Sequence, residues 1–506
     1  MTEGKKPPAR AMRWGWLDQA IAYVSPRAGV QRYAAKASLG NLRRSYEGAA
    51  RGRGTDGWIA PRTSADNEIK VAGPLLRDRM RDMVRNDPLA ARALSVLVGS
   101  IIGSGIRPRA ATSNKALNKR VDALFAAWCK KADATGGTDF FGLQALAFRE
   151  MLEGGDVFAL NRPRRAEDGL AVPLQIELLE ADHLDDRKFD AKAGIITDGG
   201  IEFDAIGRRS AYWLYPDHPG ASAIFSTLNR DSRRVPADRV AHMFERQRTQ
   251  NRGVPWGTPA MRAHRDLSDW QQAEMERKKT EACLVGVVLG DESDQPVAPV
   301  MKDSTGRDVE QFEPGMMFYS QGARDVKFNQ PAATPGIREW NIVQQRIIAA
   351  GWRIPYELLT GDLSDVNFSS SRVGLNEWKR LVEVVQWHIV IPMFCQVIWD
   401  WVMDAAWRNL QIPRPDIEVE WAPPRFESVN PLQDATADIL ETRAGFATPQ
   451  QQIAKRGYDP DQVMAEWAAF AAAADDAKLI FDSDPRRVTN AGQFQRGDPA
   501  TNDPKP

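Results

Sequence analysis

Five histidines (183, 218, 242, 264 and 388) and three cysteines (129, 283 and 395) are the side chains of this sequence best suited to act as bases, nucleophiles or metal ligands. Their spacing fits none of those tasks. A zinc site draws two donors from one turn or helix face, which needs close-set Cys or His pairs, and the sequence has none. The phosphate-cradling G-x-x-x-x-G-K-[ST], the G-x-S-x-G nucleophile elbow, H-E-x-x-H and the EF-hand calcium loop are also missing from it. His242 falls in a strand pattern and His388 in an aromatic-rich helix, where a hydrogen-bonded structural histidine is the expected role.

Three polar groupings remain. Glu180, Asp182, Asp185 and Asp186 flank His183 as an oxygen-and-imidazole metal site would, but adjacent acids in a turn predict a solvated loop. Asp362 and Asp365 precede Ser369, Ser370 and Ser371, an arrangement that could be cast as acid and nucleophile. No base accompanies them, and capping of the next helix accounts for the serines. Arg107-Pro108-Arg109 and Arg162-Pro163-Arg164-Arg165 are small basic clusters assigned to surface solubility. The residues predict no catalytic group, no metal and no cofactor.

The densest local signals mark a break between helices, residues 351–371. Pro355 opens one turn over Tyr356 to Leu359, and Gly361 stops it, since glycine tolerates the left-handed helix end. A polar loop with Asp362, Asp365 and Asn367 follows. Arg372 and Lys379 then stand at the head of the next helix, where positive charge opposes the helix dipole. Local stability does not account for them.

The elements around this break read as follows. Pro74 opens a helix with Leu75, Leu76, Met80 and Val84; Asp87-Pro88 caps a second, with a wide apolar face from Leu89 to Ile102. Leu117 to Trp128 and Phe140 to Leu152 form two more. Short strands are expected at Val157–Leu160, Leu174–Leu178, Ile201–Phe203, Tyr212–Tyr215 and Val240–Phe244. A helix over 258–283 is polar nearly all round, with only Met261, Leu267, Trp270 and Ala273 as an apolar set. It leads to a small β-rich insertion, and Ile337 to Ala350 returns from it. One long helix, Ser371 to about Asn409, is expected to kink at Pro392, with Trp378, Trp387, Trp399, Trp401 and Trp407 as packing residues. After a strand at Ile417–Trp421, three cap-plus-proline starts (Asn430-Pro431, Thr448-Pro449, Asp459-Pro460) predict a helical C-terminal unit.

Composition bounds the class. At 506 residues, 43% hydrophobic and 26% charged, the chain suits several folding units with real cores. Lys+Arg and Asp+Glu both number 67, so no global charge excess advertises nucleic acid or a basic partner. The balance is local, however: Lys/Arg at 5, 6, 10, 13, 27, 32, 36, 43, 44, 51 and 53 outnumber acids at 3, 18, 47 and 56. That arm is expected to be either a solvated tail or a nucleic-acid- or partner-binding arm. Unpaired cysteines suit a reducing cytoplasm, and the N-terminus has no secretory pattern. Val384 to Met403 has the length of a membrane span but carries Gln386, His388, Pro392, Gln396 and Asp400, which predicts a buried helix and no membrane.

Laid end to end, these segments resemble the portal proteins of lambda-like tailed phages, over about residues 30–475. The resemblance is carried by Gly52-Arg53-Gly54 with Gly57-Trp58 and Ala60-Pro61, by Val84 to Pro88 through Gly103 to Ile106, and by Arg252 to Trp256. It continues in Pro355-Tyr356-Glu357 with Leu359 to Asp362, in Val366 to Ser370, and in Arg456 to Asp459. It implies an α+β, multi-domain portal fold: a basic extended arm (1–69), a wing (70–257), stem helices (258–283 and 336–350) and a β-rich clip (284–335). A tunnel loop (351–371), a long wing helix and strand (372–429), a helical crown (430–475) and a tail (476–506) complete it.

The function implied is a dodecameric ring at one capsid vertex that conducts double-stranded DNA without sequence preference. Its partners would be other copies of the chain, the terminase motor, the major capsid protein and the head–tail connector. The site would be the virion, with assembly in the host cytoplasm. The resemblance implies no enzyme and no cofactor. Asp362, Asp365, Asn367 and Arg372 become candidates for the tunnel loop, and Arg262, Arg265, Arg277, Lys278 and Lys279 for the stem. A nucleic-acid-processing enzyme using the basic arm and the acids near His183, or a monomeric scaffold, are the alternatives.

Overall fold

A computed structural model of the chain describes residues 23, 62–192, 194–221, 231–282, 336–364, 368–424, 431–456, 458, 460–479 and 481, with five short strands between 286 and 328. For those strands and for residues 280–282, 368–372, 454, 455 and 462 it describes the backbone alone. The chain divides into Met1–Ser64 and Ala65–Pro506, and the following concerns the second unit.

Helix α1 (Ala65–Asn86) starts earlier than its proline suggested, and Pro74 lies inside it. The reason is a buried row, Ile69, Gly73, Arg77, Met80 and Val84, whose packing outweighs the one backbone hydrogen bond that proline removes. Leu75, expected on that face, is exposed. Helix α2 (Pro88–Ile101) is capped by the Asp87 carboxylate, which accepts from the N–H groups of Leu89 (2.8 Å) and Ala90 (3.2 Å). Strand β1 (Arg107–Ala110), helices α3 (Lys115–Cys129) and α4 (Phe140–Gly154), and strands β2 (Asp156–Pro163) and β3 (Leu174–Glu180) follow.

Strands β4 (Asp190–Lys192), β5 (Ile195–Asp198), β6 (Ile201–Phe203), β7 (Arg209–Leu214) and β8 (Arg233–Pro236) form an antiparallel meander in chain order. Strand β9 (Val240–Phe244) returns to pair with β2, giving a three-stranded sheet β3-β2-β9. Phe158, Leu160, Tyr212 and Leu214 belong to the small apolar cluster that joins the two sheets.

Helix α5 (Met261–Ala282) leads out to strands β10 (Gly286–Leu289), β11 (Met301–Lys302), β12 (Asp308–Val309), β13 (Met317–Tyr319) and β14 (Asp325–Phe328). Strand β10 pairs with β13 in parallel and with β14 antiparallel. Helix α6 (Ile337–Trp352) comes back, and the single turn α7 (Tyr356–Thr360) crosses to α8 (Phe368–Val385). Because α8 begins at Phe368, Ser369 to Ser371 sit inside its first turn and not in front of it, contrary to their assignment as caps.

The expected kink at Pro392 is instead a wider winding. Residues Gln386–Cys395 form a π-helix, closed by the Gln396 N–H on the Ile391 carbonyl, before α9 (Gln396–Arg408) resumes. Longer-range hydrogen bonds of this kind accommodate a ring that has no N–H and crowds the preceding turn. This helix is long and apolar enough to span a membrane by length and composition, yet its apolar row is the centre of the core. Trp399 lies 5.0 Å from Phe125, which meets Phe140 edge-on at 5.6 Å. Trp378, Trp399 and Trp401 are buried as expected, but Trp387 and Trp407 are 47% and 42% exposed. Each follows a buried residue (Gln386, Ala406) and so points one step off the core row.

Strand β15 (Val419–Ala422) pairs antiparallel with β1, which turns Arg107-Pro108-Arg109 from a loose basic cluster into an edge of the fold. Helices α10 (Pro431–Arg443), α11 (Pro449–Lys455) and α12 (Pro460–Asp476) each start at a proline, as expected. Arg109 pairs with Asp461 of α12 at 3.3 Å.

Asp156 ties the α4–β2 corner to β9. Its fully buried carboxylate accepts from His242 Nε2 (2.9 Å), Arg252 Nε (2.7 Å) and the Gly253 N–H (2.6 Å). Burial alone would raise its pKa, but Arg252 and His242 hold it well below the usual carboxylate range. Burial lowers His242 to about 4, so it donates as a neutral ring. Both folded-state pKa values lie below their unfolded values, so their stabilisation is present at neutral pH and is lost on acidification. Asp156→Asn is expected to lower unfolding free energy by about 3 kcal/mol at neutral pH in urea titrations, because it leaves Arg252 without its buried partner. His242→Gln should flatten the stability loss between pH 6.5 and about 4.

Candidate functional site

Helix α5 carries Arg262, Arg265, Arg277, Lys278 and Lys279 against Asp266, Asp269, Glu274, Glu276 and Glu281, so its formal charge cancels. The cancellation is local. Arg262 faces Asp266 (3.8 Å) and Arg265 faces Asp269 (3.7 Å) one turn on; Arg277 grips Glu274 with two bonds (2.6 and 2.9 Å), and Lys279 meets Glu276 at 3.0 Å. Lys278 is exposed. The stem candidates therefore share one helix, and four of them pair with acids of that same helix.

The apolar seam of α5 is narrower than expected: Ala273 is exposed, and His264 occupies the seam with Leu267 and Trp270. Trp270 stacks on Trp340 of α6 with ring centroids 4.1 Å apart. At the root of the pair, His264 Nδ1 meets Asp87 Oδ2 at 2.8 Å, and the Trp352 indole N–H donates to His264 Nε2 at 2.9 Å. In this geometry His264 Nε2 accepts from Trp352 and Nδ1 donates to Asp87. The Trp256 indole donates in turn to the Trp352 carbonyl at 2.9 Å.

Close approach makes this root possible. A β-carbon on Gly257 would stand 2.5 Å from the Trp352 ring, and one on Gly351 would stand 2.8 Å from Ala260. Sequence reasoning missed His264 because a lone histidine on a polar helix looks like another solvated side chain. The Gly257–Gly351 pair of close contacts carries no local signature at all.

The break itself leaves α6 at Arg353, whose backbone is left-handed (φ 59°, ψ 36°). Its guanidinium forks Glu245 at 2.5 and 3.1 Å and lies 4.3 Å from the Trp256 ring. Turn α7 rests on α2, with Leu359 buried and Arg92 Nε donating to the Leu358 carbonyl (3.3 Å). Gly361 (φ 74°) ends it.

Asp362 then folds back on its own loop. It accepts from the Ser364 N–H (3.0 Å) and the Tyr356 hydroxyl (3.2 Å). Hydrogen bonds from Ser364 hold its pKa below the usual range. Leu363 is 67% exposed at the tip. Asp365 and Asn367 lie outside the described residues, and Arg372 is described only as backbone in α8.

The acids near His183 are not a solvated loop. Asp182 accepts from Arg77 (3.3 Å) and Arg81 (2.6 Å), both on α1, and Arg81 also reaches Glu150 (3.0 Å) and Glu180 (2.8 Å). Burial works against ionising Asp182, but the two arginines hold its pKa down. Glu180, Asp182 and His218 stand close enough to share a cation, yet Arg81 already lies between the two acids. Asp185 accepts from Ser232 at 2.6 Å, and His183 Nδ1 meets the Tyr215 carbonyl at 2.9 Å. These groups join α1, α4, β3 and the meander.

The sequence model of the lambda family of phage portal proteins matches residues 51–386. A probable portal protein of Halomonas phage phiHAP-1 is 24% identical over 452 residues, covering 83% of this chain and 85% of that protein. The portal protein of Escherichia phage N15 is 22% identical over 485 residues, covering 83% and 88%. Among solved structures, a chain from the neck of an empty gene transfer agent particle superposes with a TM-score of 0.45 at 14% identity, covering 81% of this chain and 98% of that one.

The matched span contains the whole stem root. There, Trp352→Phe keeps an aromatic side chain but removes the indole N–H, leaving His264 Nε2 unsatisfied in a buried position. The expected loss is about 1–3 kcal/mol in denaturant titrations. His264→Leu in the same background should cost less than it does in the wild type, since the bond to Trp352 is already gone and only the bond to Asp87 remains to be lost.

Proposed function

The chain belongs to the lambda family of phage portal proteins, and from that membership we propose that it assembles as a ring whose stem and tunnel loop line a passage for double-stranded DNA. As a portal protein it is a structural component of the virion neck. The ring holds roughly a dozen copies, related by heterologous contacts that close on themselves. The wing is 70–257 with 372–429, the stem 258–283 and 336–350, the tunnel loop 351–371 and the crown 430–475. The clip, 284–335, takes the terminase motor during packaging and the head–tail connector afterwards, and the ring sits in a vertex of the major capsid protein. Assembly takes place in the host cytoplasm. ATP hydrolysis belongs to the motor, and this chain carries none.

The observation that supports this reading most is the self-compensated surface of α5. Outside the narrow seam toward α6, the helix is polar and largely exposed, which a lone subunit does not explain. In a ring its other faces meet neighbouring copies and a wet channel. DNA binding is driven by release of the counterions that basic groups displace from the phosphates, and the hold grows with each uncompensated Lys or Arg. A helix whose arginines are already paired within one turn offers phosphates little net attraction, so DNA slides.

Arg81, standing among the acids near His183, argues against the enzyme alternative that would use them. Negative-stain images and native mass spectra of the purified chain should show rings with a central hole. Monomers alone at high concentration would overturn the portal assembly in favour of a scaffold. ATPase and nuclease assays on the same material should be blank. Asp266→Asn combined with Asp269→Asn leaves Arg262 and Arg265 without partners. In an in vitro packaging assay this double variant should slow DNA entry, and the defect should shrink as salt rises. An unchanged rate at low salt would count against DNA passing along this helix.

A further inference from the structure

We propose that Arg353 is the positioning residue of the tunnel loop: it clamps the end of α6 to the 245–256 segment and so fixes the direction in which the loop leaves the stem. The inference rests on the channel reading for its consequence, but not for its geometry.

Arg353 occupies the helix C-terminal position that usually falls to glycine, because a β-carbon is disfavoured in the left-handed conformation. The backbone there is bonded as in a glycine-ended helix, with the Ile354 N–H on the Ala349 carbonyl at 3.0 Å. What differs is the side chain. Its two-bond fork to Glu245 and its stacking 4.3 Å from Trp256 tie this strained residue to the loop that precedes α5. Trp256 also binds the carbonyl of Trp352, the residue just before. Two consecutive residues are thus anchored to one segment, one through the backbone and one through the side chain.

Glycine would make the same turn without strain, yet it would leave the exit direction free. Arginine narrows it, because a planar guanidinium held by two parallel hydrogen bonds has one orientation, which a lysine ammonium cannot reproduce. Downstream, Pro355 restricts the next backbone angle, and Leu359 and Arg92 seat α7 on α2. The clamp is the first of these constraints, and the tip at Asp362 to Ser364, exposed at Leu363 and Ser364, inherits its position from it.

The test uses the full chain with Arg353→Gly, Arg353→Lys and Glu245→Gln. Hydrogen exchange over residues 354–364 is measured by mass spectrometry, and a nitroxide on Leu363→Cys, in a Cys283→Ser background, reports mobility at the tip. Both Arg353→Gly and Glu245→Gln should speed exchange over 354–361 about tenfold and sharpen the nitroxide spectrum, with α2 and β2 unchanged. Arg353→Lys should fall between these and wild type. Glu245→Gln leaves the backbone at 353 untouched, so it separates the clamp from any folding defect of the glycine variant. Exchange within a factor of about two of wild type in both variants would overturn the proposal. DNA packaging is scored separately: a loosened loop with wild-type packaging leaves the clamp standing and refutes the channel role of the loop.

Discussion

A continuous run of hydrogen bonds, from the half-buried Asp87 through both ring nitrogens of the buried His264 to Trp352 and on to Trp256, is the constraint that orients the rest of the molecule's working parts. Helices α5 and α6 bury only narrow seams, and burial is indifferent to small rotations of a helix about its axis. Hydrogen bonds are not, because they demand both distance and direction. A rotation by one residue, about 100°, would carry His264 away from both partners at once. The Asp87 carboxylate also caps α2, so one side chain fixes the start of a core helix and the rotation of a polar one. The core that buries Trp399, Phe140 and Leu97 is thereby coupled to two helices with little core of their own.

The charges on α5 have a different role from those buried at its root. Exposed ion pairs between residues one turn apart contribute little to stability, typically a few tenths of a kcal/mol. Their effect is on the field. With each arginine matched nearby, the opposite fields of each pair largely cancel a few ångströms away, and salt screens the remainder over about 8 Å. A basic helix of the same length would project positive potential into any passage it lined. Although the chain as a whole is balanced, it carries an excess of positive charge between residues 5 and 53, so neutrality on α5 does not simply follow from the overall composition.

Much of this was legible in the sequence where a local signal coincided with a local cause. Asp87-Pro88, Pro431, Thr448-Pro449 and Pro460 mark helix starts because capping and a fixed φ act within one turn. The alternation in Leu174 to Leu178 marks β3 because one face of that strand is buried. What escaped depends on distant partners. Strand β1 is legible only through β15, and Arg-Pro-Arg has no strand pattern of its own. The start of α1 hides behind Pro74, because the packing of Ile69 and Gly73 is not visible locally. His264 and Arg353 look like ordinary polar residues until Asp87, Trp352, Glu245 and Trp256 are brought beside them. Of the loop candidates, Asp362 falls where the break was expected, but its carboxylate serves the loop itself.

That last detail indicates how constraint is distributed along the break. Up to Leu359 the chain is held from outside: Ala349 and Trp352 are buried, Arg353 is forked to Glu245, and Leu358 receives Arg92. Beyond Gly361 the character of the bonds changes. The hydrogen bonds of Asp362 return to Tyr356, Thr360 and Ser364, all within the same short segment. A loop bonded to itself keeps its internal shape when it is re-aimed, whereas one bonded to its surroundings must break those contacts to move. Gly361, with its left-handed backbone, stands between the two regimes and is the residue type for which a change of direction there carries the least steric cost. Among the described residues, the structure thus separates a base held from outside from a tip where Asp362 hydrogen-bonds within its own segment, and the dividing point is one glycine.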